Sequence, residues 1–534
     1  MSDLARLKLQ RRVDQLLAPW SGPASPGMTI GIVRGGEVIL HASAGMADIE
    51  LGVPIGPQTT FRIASVSKQF TCAMALLLVE EGRLGVDDDI RLYLPELAAF
   101  DQRISVDQLM HNISGLRDML QIMRMGGIDL SFPVLPEDLM DGIARQRTLN
   151  FPAGARYLYS NTNFLLLGRI VERVTGERLR DLLERRIFRP LGMNMTRMVE
   201  RTTELVPGLA TGYLPAPEGG QMRAQHGFPV HGEGALVSSV LDLALWERSF
   251  SGGLAGRLPL QEQTHFNSGP LCGYARGLAI AEVRGLRTVG HGGLWPGFRT
   301  EFLRIPERDE AIIVITKTGE ANPYQVGQAV LNCLVEGAPE VFPVRAMPPK
   351  EELARYVGRF VDFEVPATVD IALSASGALT VNTFGMEVGV VSEPDGRLAA
   401  AHSARDWLML LDPDGNTLGV QHDAEITAIY RRIGYGAPAP RGLVGTYVSV
   451  EMAAVWAIVE EEAGLVVRVS GPVGRGGPWQ VEGIAGDVFR IYQPGILARS
   501  WMDAQVVRDV DGRVNGLYVH GGRVKRLVLQ REEA

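Results

Sequence analysis

The first 340 residues combine helical and strand patterns of apolar positions. Leu4–Leu17 is amphipathic with helical spacing, and Met28–Val33 and Glu37–Ala42 alternate around a short Gly-containing turn, as a β-hairpin does. Further helical patterns occur at Gln69–Glu81, Phe164–Thr175 and Leu179–Arg186. Two β-rich runs follow at Arg299–Ile305 and Ala311–Lys317. This order of strands, helices and strands predicts an α+β domain over residues 1–340.

After Pro343–Pro349 the pattern changes to short β-branched runs separated by glycine turns, which predicts all-β structure. The pattern also repeats. Val357–Phe360 matches Val444–Tyr447, and Gly377–Thr380 matches Gly464–Val467, both at an offset of 87 positions (444 minus 357). We therefore expect two similar β-domains, over residues 341–438 and 439–534.

The second copy of this repeat is longer than the first. Asp414-Gly415 matches Asp511-Gly512 at an offset of 97 (511 minus 414), which leaves about ten extra residues in the second copy. The glycine- and proline-rich stretch Gly471–Gln480 is the candidate insertion. Its composition predicts a long loop, which is either a surface excursion or a functional element.

Composition limits the classes of protein to which the chain can belong. A length of 534 residues predicts about three domains. The net charge of −8, without a basic run, argues against nucleic acid as a partner. The N-terminus lacks a secretory pattern, and the longest apolar run, Cys72–Val79, is too short to span a bilayer, so we expect a cytoplasmic protein with no membrane partner. Three widely separated cysteines predict reduced thiols, and no metal or other cofactor is expected.

One lysine stands out within an apolar segment. Most basic residues of the chain are arginines, and lysine occurs only at Lys8, Lys68, Lys317, Lys350 and Lys525. Ser65 and Lys68 begin a predicted helix and lie one turn apart on the same face. A desolvated lysine can take the proton of a serine hydroxyl near neutral pH. The pair predicts Ser65 as a nucleophile and Lys68 as its base; the alternative is a serine cap beside a solvated lysine.

Two further short motifs could carry chemistry. Tyr159-Ser160-Asn161 lies in a predicted loop, where a phenol can relay protons and an amide can orient the lysine or hold a substrate carbonyl. His291-Gly292-Gly293 precedes the last two predicted strands, where glycine permits close approach of a substrate backbone. Each motif is unspecific by itself, and His291 could equally be a structural turn residue.

In this order the motifs at Ser65–Lys68, Tyr159–Asn161 and His291–Gly293 resemble the three signatures of the penicillin-recognising serine enzymes. This family includes class C β-lactamases, D,D-carboxypeptidases, esterases and D-aminopeptidases. His111–Leu116 and Gly234–Ser238 are also similar to family stretches. The resemblance covers about residues 25 to 335 and implies an antiparallel sheet flanked by helices.

A second stretch also matches a common form of the third signature. Lys317-Thr318-Gly319 closes the last predicted strand, whereas the family motif has two strands still to follow it. We therefore expect His291, and not Lys317, to be the functional element.

The run Ser65–Ala73, the His-Gly-Gly motif and two C-terminal β-domains look most like the serine D-aminopeptidases. That resemblance implies two antiparallel eight-stranded barrels, with a loop of the last one at the active site. Gly471–Gln480 would be this loop, with Arg475, Gly476 and Gly477 contacting substrate. It further implies catalytic roles for Ser65, Lys68, Tyr159 and His291, substrate contacts for Asn161 and Gly293, and a homodimer. The implied substrate is a small peptide, amide or ester with an N-terminal D-residue such as D-alanine.

The predicted loop departs from the family pattern. The family offers an acidic residue to the substrate ammonium, whereas this stretch has Gly476 and Gly477, and its own charge is Arg475. Unless Glu482 or Asp487 reaches the site, amidase or esterase activity on substrates with a blocked amine becomes a competing prediction. The motifs are also compatible with a β-lactamase, a D,D-carboxypeptidase or a ligand sensor without turnover.

Overall fold

The computed structural model describes residues 3–97, 100, 102–128, 131, 133–228, 230–283, 285–335, 353–374, 377–392, 397–400, 407–422, 425–471, 474–494 and 499–532. An N-terminal domain extends to residue 335, a first barrel covers residues 358–433, and a second barrel covers residues 445–531. The predicted α+β fold with two C-terminal barrels is confirmed. The predicted boundary at residue 340 lies outside the described residues, and the one at 438 falls between the barrels.

A six-stranded antiparallel sheet forms the centre of the N-terminal domain. The strands of this domain are β1 (Met28–Arg34), β2 (Glu37–Ala44), β3 (Met46–Asp48), β4 (Val53–Pro54), β5 (Phe61–Arg62), β6 (Arg197–Met198), β7 (Tyr213–Pro215), β8 (Gln221–Arg223), β9 (Leu236–Ser238), β10 (Ala279–Val283), β11 (Leu286–Trp295), β12 (Phe298–Ile305) and β13 (Glu310–Thr316). The central sheet has the order β10-β11-β12-β13-β1-β2. Strands β13 and β1 are neighbours in the interior of this sheet, and their nearly continuous apolar residues are buried on both faces.

Helices cover both faces of this sheet. They are α1 (Asp3–Leu17), α2 (Lys68–Glu80), α3 (Val106–Met110), α4 (Met119–Met125), α5 (Pro136–Ala144), α6 (Asn161–Thr175), α7 (Leu179–Leu183), α8 (Arg189–Leu191), α9 (Val240–Arg248), α10 (Leu254–Arg257) and α11 (Pro323–Leu334). Helices α1 and α11 pack on one face, and the larger helical layer packs on the other. Within that layer α2 is buried from Lys68 to Leu78, as its apolar sequence requires.

Strand β11 is longer than the sequence pattern predicts. The segment Val289–Gly293 lies inside this strand. Its glycines had favoured a connecting segment that leads into the last two predicted strands. Glycine is required here because the backbone of a neighbouring segment comes very close. A Cβ on Gly293 would overlap with Ile63 O, and one on Gly290 would overlap with Phe302 O.

Each C-terminal unit is a closed antiparallel barrel of eight strands. The first contains β14 (Gly358–Asp362), β15 (Ala367–Leu373), β16 (Leu379–Thr383), β17 (Met386–Ser392), β18 (Leu398–Ala400), β19 (Trp407–Leu411), β20 (Thr417–His422) and β21 (Glu425–Ile433). The second contains β22 (Gly445–Ser449), β23 (Ala454–Glu461), β24 (Gly464–Ser470), β25 (Arg475–Ala485), β26 (Val488–Pro494), β27 (Arg499–Arg508), β28 (Val514–His520) and β29 (Leu527–Arg531). The predicted repeat is confirmed, since β14 and β22 begin 87 positions apart (445 minus 358).

The long loop predicted at Gly471–Gln480 is mostly strand. Residues 472 and 473 lie outside the described residues, but β25 begins at Arg475 and pairs with β24. The extra residues of the second copy lengthen its strands, because β25 has 11 residues and β17 at the corresponding place has 7. The prediction of a free loop was wrong because glycine and proline signalled a turn, whereas pairing with β24 and β26 decides the conformation.

The second barrel packs directly on the N-terminal domain. Ile122 and Met125 of α4 belong to the same apolar cluster as Trp456, whose Nε1 donates to Met125 O at 3.0 Å. Beside this cluster the buried Arg117 donates to Glu451 Oε2 at 2.7 Å. A buried ion pair that loses one partner leaves an uncompensated charge, so this contact fixes where the second barrel docks.

The cysteines and the helices bear on two expectations from composition. Cys72, Cys272 and Cys333 carry thiols and form no disulfide, as expected. Among the helices described, none has both the length and the apolar character needed to cross a bilayer.

Candidate active site

Ser65 lies in a 3-10 turn, Ala64–Ser67, that leads directly into α2. Ser65 and Lys68 therefore stand one turn apart, as the sequence predicts. Ala64 has φ of 48°, a left-handed conformation that is unusual for a residue with a side chain and typical of functional sites. The turn is held on β9, because Ser67 Oγ accepts from Leu236 N at 3.1 Å.

The side chain of Lys68 is 0% exposed and reaches back to the serine. Its Nζ donates to Ser65 Oγ at 3.0 Å, to Asn161 Oδ1 at 2.9 Å and to Glu233 O at 2.6 Å. Burial disfavours the charged form and lowers the pKa of Lys68 to about 7, although the nearby Glu233 carboxyl acts in the opposite direction. Near neutral pH a large fraction of this amine is uncharged and able to accept a proton.

Tyr159 approaches the same serine oxygen from another side. Its hydroxyl donates to Ser65 Oγ at 2.7 Å, and Lys68 Nζ lies 4.9 Å from the centre of its ring. Burial raises the pKa of Tyr159, so the phenol keeps its proton at neutral pH. Ser65 Oγ thus contacts one group that can accept a proton and one that can donate it.

A buried polar network positions the loop that carries Tyr159. Asp118 Oδ2 accepts from Asn161 N at 2.7 Å and from Asn161 Nδ2 at 3.0 Å, which turns the amide oxygen toward Lys68. Asn112, in the family-like stretch His111–Leu116, accepts from Ser160 N at 3.0 Å. That stretch therefore acts on the site through the tyrosine loop, which it holds in place.

His291 lies beside Tyr159, with 5.9 Å between the ring centres. Its Nδ1 is 2.6 Å from Gly292 O, which can only accept, so Nδ1 carries the proton. Its Nε2 then accepts from the hydroxyl of Tyr274 at 2.9 Å. Burial lowers the pKa of His291 to about 3, so the ring is neutral at physiological pH. His291 therefore contributes a neutral, oriented imidazole. It does not supply a positive charge in the third motif at physiological pH.

The backbone of β11 completes the wall next to Ser65. Strand β10 pairs with β11 as far as Gly290, and β11 continues beyond this point to Trp295. Gly293 lies against the segment that precedes Ser65, because the carbonyl of Ile63 occupies the place where its side chain would be. The absence of side chains at Gly292 and Gly293 allows another backbone to approach this edge.

A cavity of about 120 Å³ opens from this edge. It is lined by Tyr157, Tyr159, Tyr274, Ala279, Ala281, Thr288, Gly290, His291, Gly292, Glu301 and Leu303. Glu301 is the acidic residue of this lining, and burial raises the pKa of its carboxyl to about 8. Sequence analysis missed Glu301 and Tyr274, since neither belongs to a motif and only the tertiary fold brings them to the histidine.

The second barrel contributes a cation that sequence analysis also missed. Arg523 lies in the turn between β28 and β29, and its guanidinium carbon is 4.7 Å from the ring centre of Tyr159. Its Nη1 is 3.8 Å from Asp118 Oδ2. The backbone of the same turn is tied to the N-terminal domain, where Asn150 Nδ2 donates to Arg523 O at 3.0 Å. No local signal distinguishes Arg523 from the other arginines of the chain.

Arg475, Gly476 and Gly477, which were predicted to form the active-site loop, lie in strand β25 next to the end of α4. Arg475 and Gly476 pack against Gly127, just after α4, where a Cβ on Gly127 would lie 2.9 Å from Gly476 N. Gly477 follows in the same strand. Among the described contacts these residues touch α4's end and not Ser65, so their substrate-binding role stays a prediction.

Neither acidic residue considered as an amine partner is available. Glu482 Oε1 accepts from Arg359 at 2.6 Å. Asp487 Oδ1 accepts from Arg508 at 2.6 Å. Both carboxylates form ion pairs with arginines of the two barrels.

Lys317 occupies a separate environment. Its Nζ lies 4.2 Å from the ring centre of Tyr213, and burial lowers its pKa to about 7. The described contacts of Lys317 do not include Ser65, Lys68 or Tyr159. The expectation that Lys317-Thr318-Gly319 is not the third motif agrees with this placement.

Solved structures with the same fold include penicillin-binding and amidase proteins. The octameric penicillin-binding protein homologue from Pyrococcus abyssi has a TM-score of 0.56 at 21% identity, covering 80% of this chain and 100% of that one. The D-amino acid amidase from Ochrobactrum anthropi SV3, complexed with D-phenylalanine, has a TM-score of 0.53 at 24% identity, covering 62% of this chain and 99% of that one.

Curated relatives match over almost the whole length. The D-aminopeptidase of Brucella anthropi is 29% identical over 509 residues, which is 92% of this chain and 93% of that protein. The D-aminopeptidase of Brucella ovis is 28% identical over 510 residues, with the same coverage. A family model described as beta-lactamase matches residues 9–332, the part that holds Ser65, Lys68, Tyr159 and His291. The chain therefore belongs to the beta-lactamase family.

Proposed function

We propose that this protein is a serine hydrolase that releases N-terminal D-amino acids, such as D-alanine, from peptides, amides and esters. The observation that carries the proposal is the contact of Ser65 Oγ with both the Lys68 amine and the Tyr159 hydroxyl. Full-length similarity to D-aminopeptidases supports the substrate class.

In acylation Ser65 Oγ attacks the substrate carbonyl and gives its proton to Lys68, whose pKa of about 7 suits this role. The carbon–nitrogen bond then breaks, and the leaving amine takes the proton of Tyr159. The proton that Lys68 took from Ser65 then passes to Tyr159, since the amine and the phenol hydroxyl both lie within hydrogen-bond distance of Ser65 Oγ. The Ser65 amide and the free edge of β11 near Gly293 are the donors that would hold the oxyanion.

Deacylation reverses these roles. Water attacks the ester carbonyl and loses its proton to the same amine–phenol pair, and Ser65 Oγ leaves with a proton. Asn161 keeps Lys68 aligned through both steps by accepting a hydrogen bond from its Nζ. His291, neutral and fixed by Tyr274, forms part of the wall against which the acyl group lies.

Glu301 is the group that we assign to the free amine of the substrate. It lines the small cavity shared with Tyr159 and His291, whereas Glu482 and Asp487 are held by arginines. Because burial raises its pKa to about 8, Glu301 is mostly a neutral acid at pH 7, and an entering ammonium would stabilise the carboxylate. The small volume of the cavity favours a compact acyl group such as alanyl.

A second candidate is a D-amino-acid amidase or esterase that acts on substrates with a blocked amine. The positive charge of Arg523 beside Tyr159 favours it, because this charge disfavours an ammonium nearby. The two functions separate in a panel of D- and L-alanine p-nitroanilides with free and acetylated amines. The aminopeptidase proposal expects the free D-anilide to have the highest kcat/KM, and faster hydrolysis of the acetylated form would contradict it.

Two variants complete this test. Ser65→Ala should reduce turnover of the free D-anilide by about a thousandfold or more. Glu301→Gln should raise KM for the free amine by about tenfold, with little change for the acetylated substrate. An equal effect of Glu301→Gln on both substrates would remove the assigned role. The cytoplasmic location, the homodimer and the absence of a cofactor stay predictions.

A further inference from the structure

The turn between β28 and β29 places a second-barrel arginine directly at the candidate active site. The guanidinium of Arg523 stacks on Tyr159, whose hydroxyl donates to the nucleophile, so one aromatic ring separates the cation from Ser65. The turn is tied to the N-terminal domain at this residue and two positions after it. Asp118 N donates to Arg523 O at 3.4 Å, and Lys525 N donates to Asn150 Oδ1 at 2.7 Å.

The hydrogen-bonding capacity of this guanidinium is largely unused. Its nearest described carboxylate oxygen, Asp118 Oδ2, is 3.8 Å away and already accepts two hydrogen bonds from Asn161. Within the described residues, the Arg523 side chain donates no hydrogen bond, and it is 43% exposed. A planar group with five N–H donors that lies over a ring, and whose ion pair with Asp118 is too long for a hydrogen bond, is suited to bind a carboxylate.

The position of Tyr159 indicates which part of the substrate meets this cation. Tyr159 donates its proton to the leaving amine, so the leaving group lies on the Tyr159 side of the site. In a peptide substrate with one residue after the scissile bond, the carboxylate is two bonds beyond that amine nitrogen. The acyl group, with its own amine, occupies the cavity of His291 and Glu301, for which Tyr159 is one wall, and Arg523 lies over the ring of that tyrosine.

We propose that Arg523 determines specificity by binding the free C-terminal carboxylate of the leaving group, so that the preferred substrates are dipeptides with an N-terminal D-residue. This inference rests on the proposed function and adds the leaving-group side of its substrate. A longer leaving peptide would carry its carboxylate past Arg523. An amide or anilide would leave Arg523 without a partner.

The test compares D-alanyl-glycine with D-alanyl-glycinamide, which differ only in the carboxylate. The wild-type protein should hydrolyse the acid with a kcat/KM about 10- to 100-fold higher than the amide, the effect of one charge-assisted hydrogen bond. Arg523→Gln should bring this ratio close to one, chiefly through KM for the acid. Arg523→Lys should restore part of the ratio, because a point charge replaces a planar fork.

Arg526→Gln is the matched control, since Arg526 is exposed in the same turn and contacts Glu364 O and the ring of Tyr518. This control should keep the wild-type ratio. A ratio near one in the wild type, or an equal loss for acid and amide in Arg523→Gln, would overturn the inference and leave Arg523 a structural residue. Failure of the proposed function is separately visible, because D-alanine p-nitroanilide, which has no carboxylate, would then not be hydrolysed at all.

Discussion

The two barrels share a topology but differ in what they touch. Both close eight antiparallel strands, and their first strands begin 87 positions apart (445 minus 358). The second barrel docks on α4 through Trp456 and Glu451 and brings Arg523 to Tyr159. The first barrel packs on the second, where Arg359 donates to Glu482 at 2.6 Å.

A second buried cluster joins the barrels to each other. Arg490 is fully buried and donates to Asp370 Oδ2 at 2.9 Å and to Asp503 Oδ1 at 3.4 Å. Asp503 also accepts from Thr368 N at 2.8 Å. The same fold therefore serves two purposes. The second barrel places Arg523 at the candidate site and the first barrel packs on the second, so the two copies differ in position and not in topology.

The largest expected effect comes from breaking each interface in turn. Glu451→Ala leaves Arg117 buried and unpaired, and Asp503→Ala removes one partner of Arg490, so each should lower the free energy of unfolding by about 3 kcal/mol. Only Glu451→Ala should also reduce kcat/KM, because Arg117 precedes the Asp118 that holds Asn161. Denaturant unfolding and assays well below the unfolding transition measure the two effects. Equal loss of kcat/KM in both variants would erase the distinction between the barrels.

A smaller effect is expected from a single hydrogen bond at the docking surface. Trp456→Phe leaves Met125 O without its donor and should destabilise the protein by about 1 kcal/mol. Trp501→Phe is the control in the same barrel, because Trp501 Nε1 has no hydrogen-bond partner among the described residues. Thermal unfolding of both variants tests this expectation, and a greater loss at position 501 would contradict it.

The smallest expected effect is the influence of the Arg523 charge on the pKa of Lys68. The positive charge of Arg523 helps to lower the pKa of Lys68, so Arg523→Gln should raise that pKa. Activity on an uncharged D-ester should then need a slightly higher pH than in the wild type. A pH–rate profile measures the shift, and Arg359→Gln, at the interface between the barrels, should leave the midpoint unchanged.

Local sequence signals identified the candidate nucleophile and its predicted base but not their distant neighbours. Ser65 and Lys68 are three residues apart at a helix start, so helix geometry alone brings them together. Tyr159 and His291 needed the family resemblance, because only the fold carries them to Ser65. Arg523 was not predicted, since its contact with Tyr159 spans the interface of two domains and leaves no pattern in the sequence.

The barrels illustrate the same limit. The repeat predicted two similar domains, because equal folds keep equal spacing of turns and strands. The assignment of Gly471–Gln480 as a loop failed because strand pairing with β24 outweighed the turn propensity of glycine. Strand β11 was missed for a similar reason. Its glycines are needed because the carbonyls of Ile63 and Phe302 come too close for a side chain, and local propensity does not show this.

The central claim is that the buried amine of Lys68, in its uncharged form, activates Ser65. The most direct measurement is the rate at which an uncharged fluorophosphonate modifies Ser65 as a function of pH, followed by intact-mass spectrometry. The pKa of Lys68 is about 7, so at lower pH the side chain is an ammonium and cannot accept the proton. In the wild type the modification rate should therefore rise through about pH 7 to a plateau. In Lys68→Ala this reaction should be lost. A rate that is flat between pH 6 and 8, or a wild-type rate in Lys68→Ala, would contradict the account.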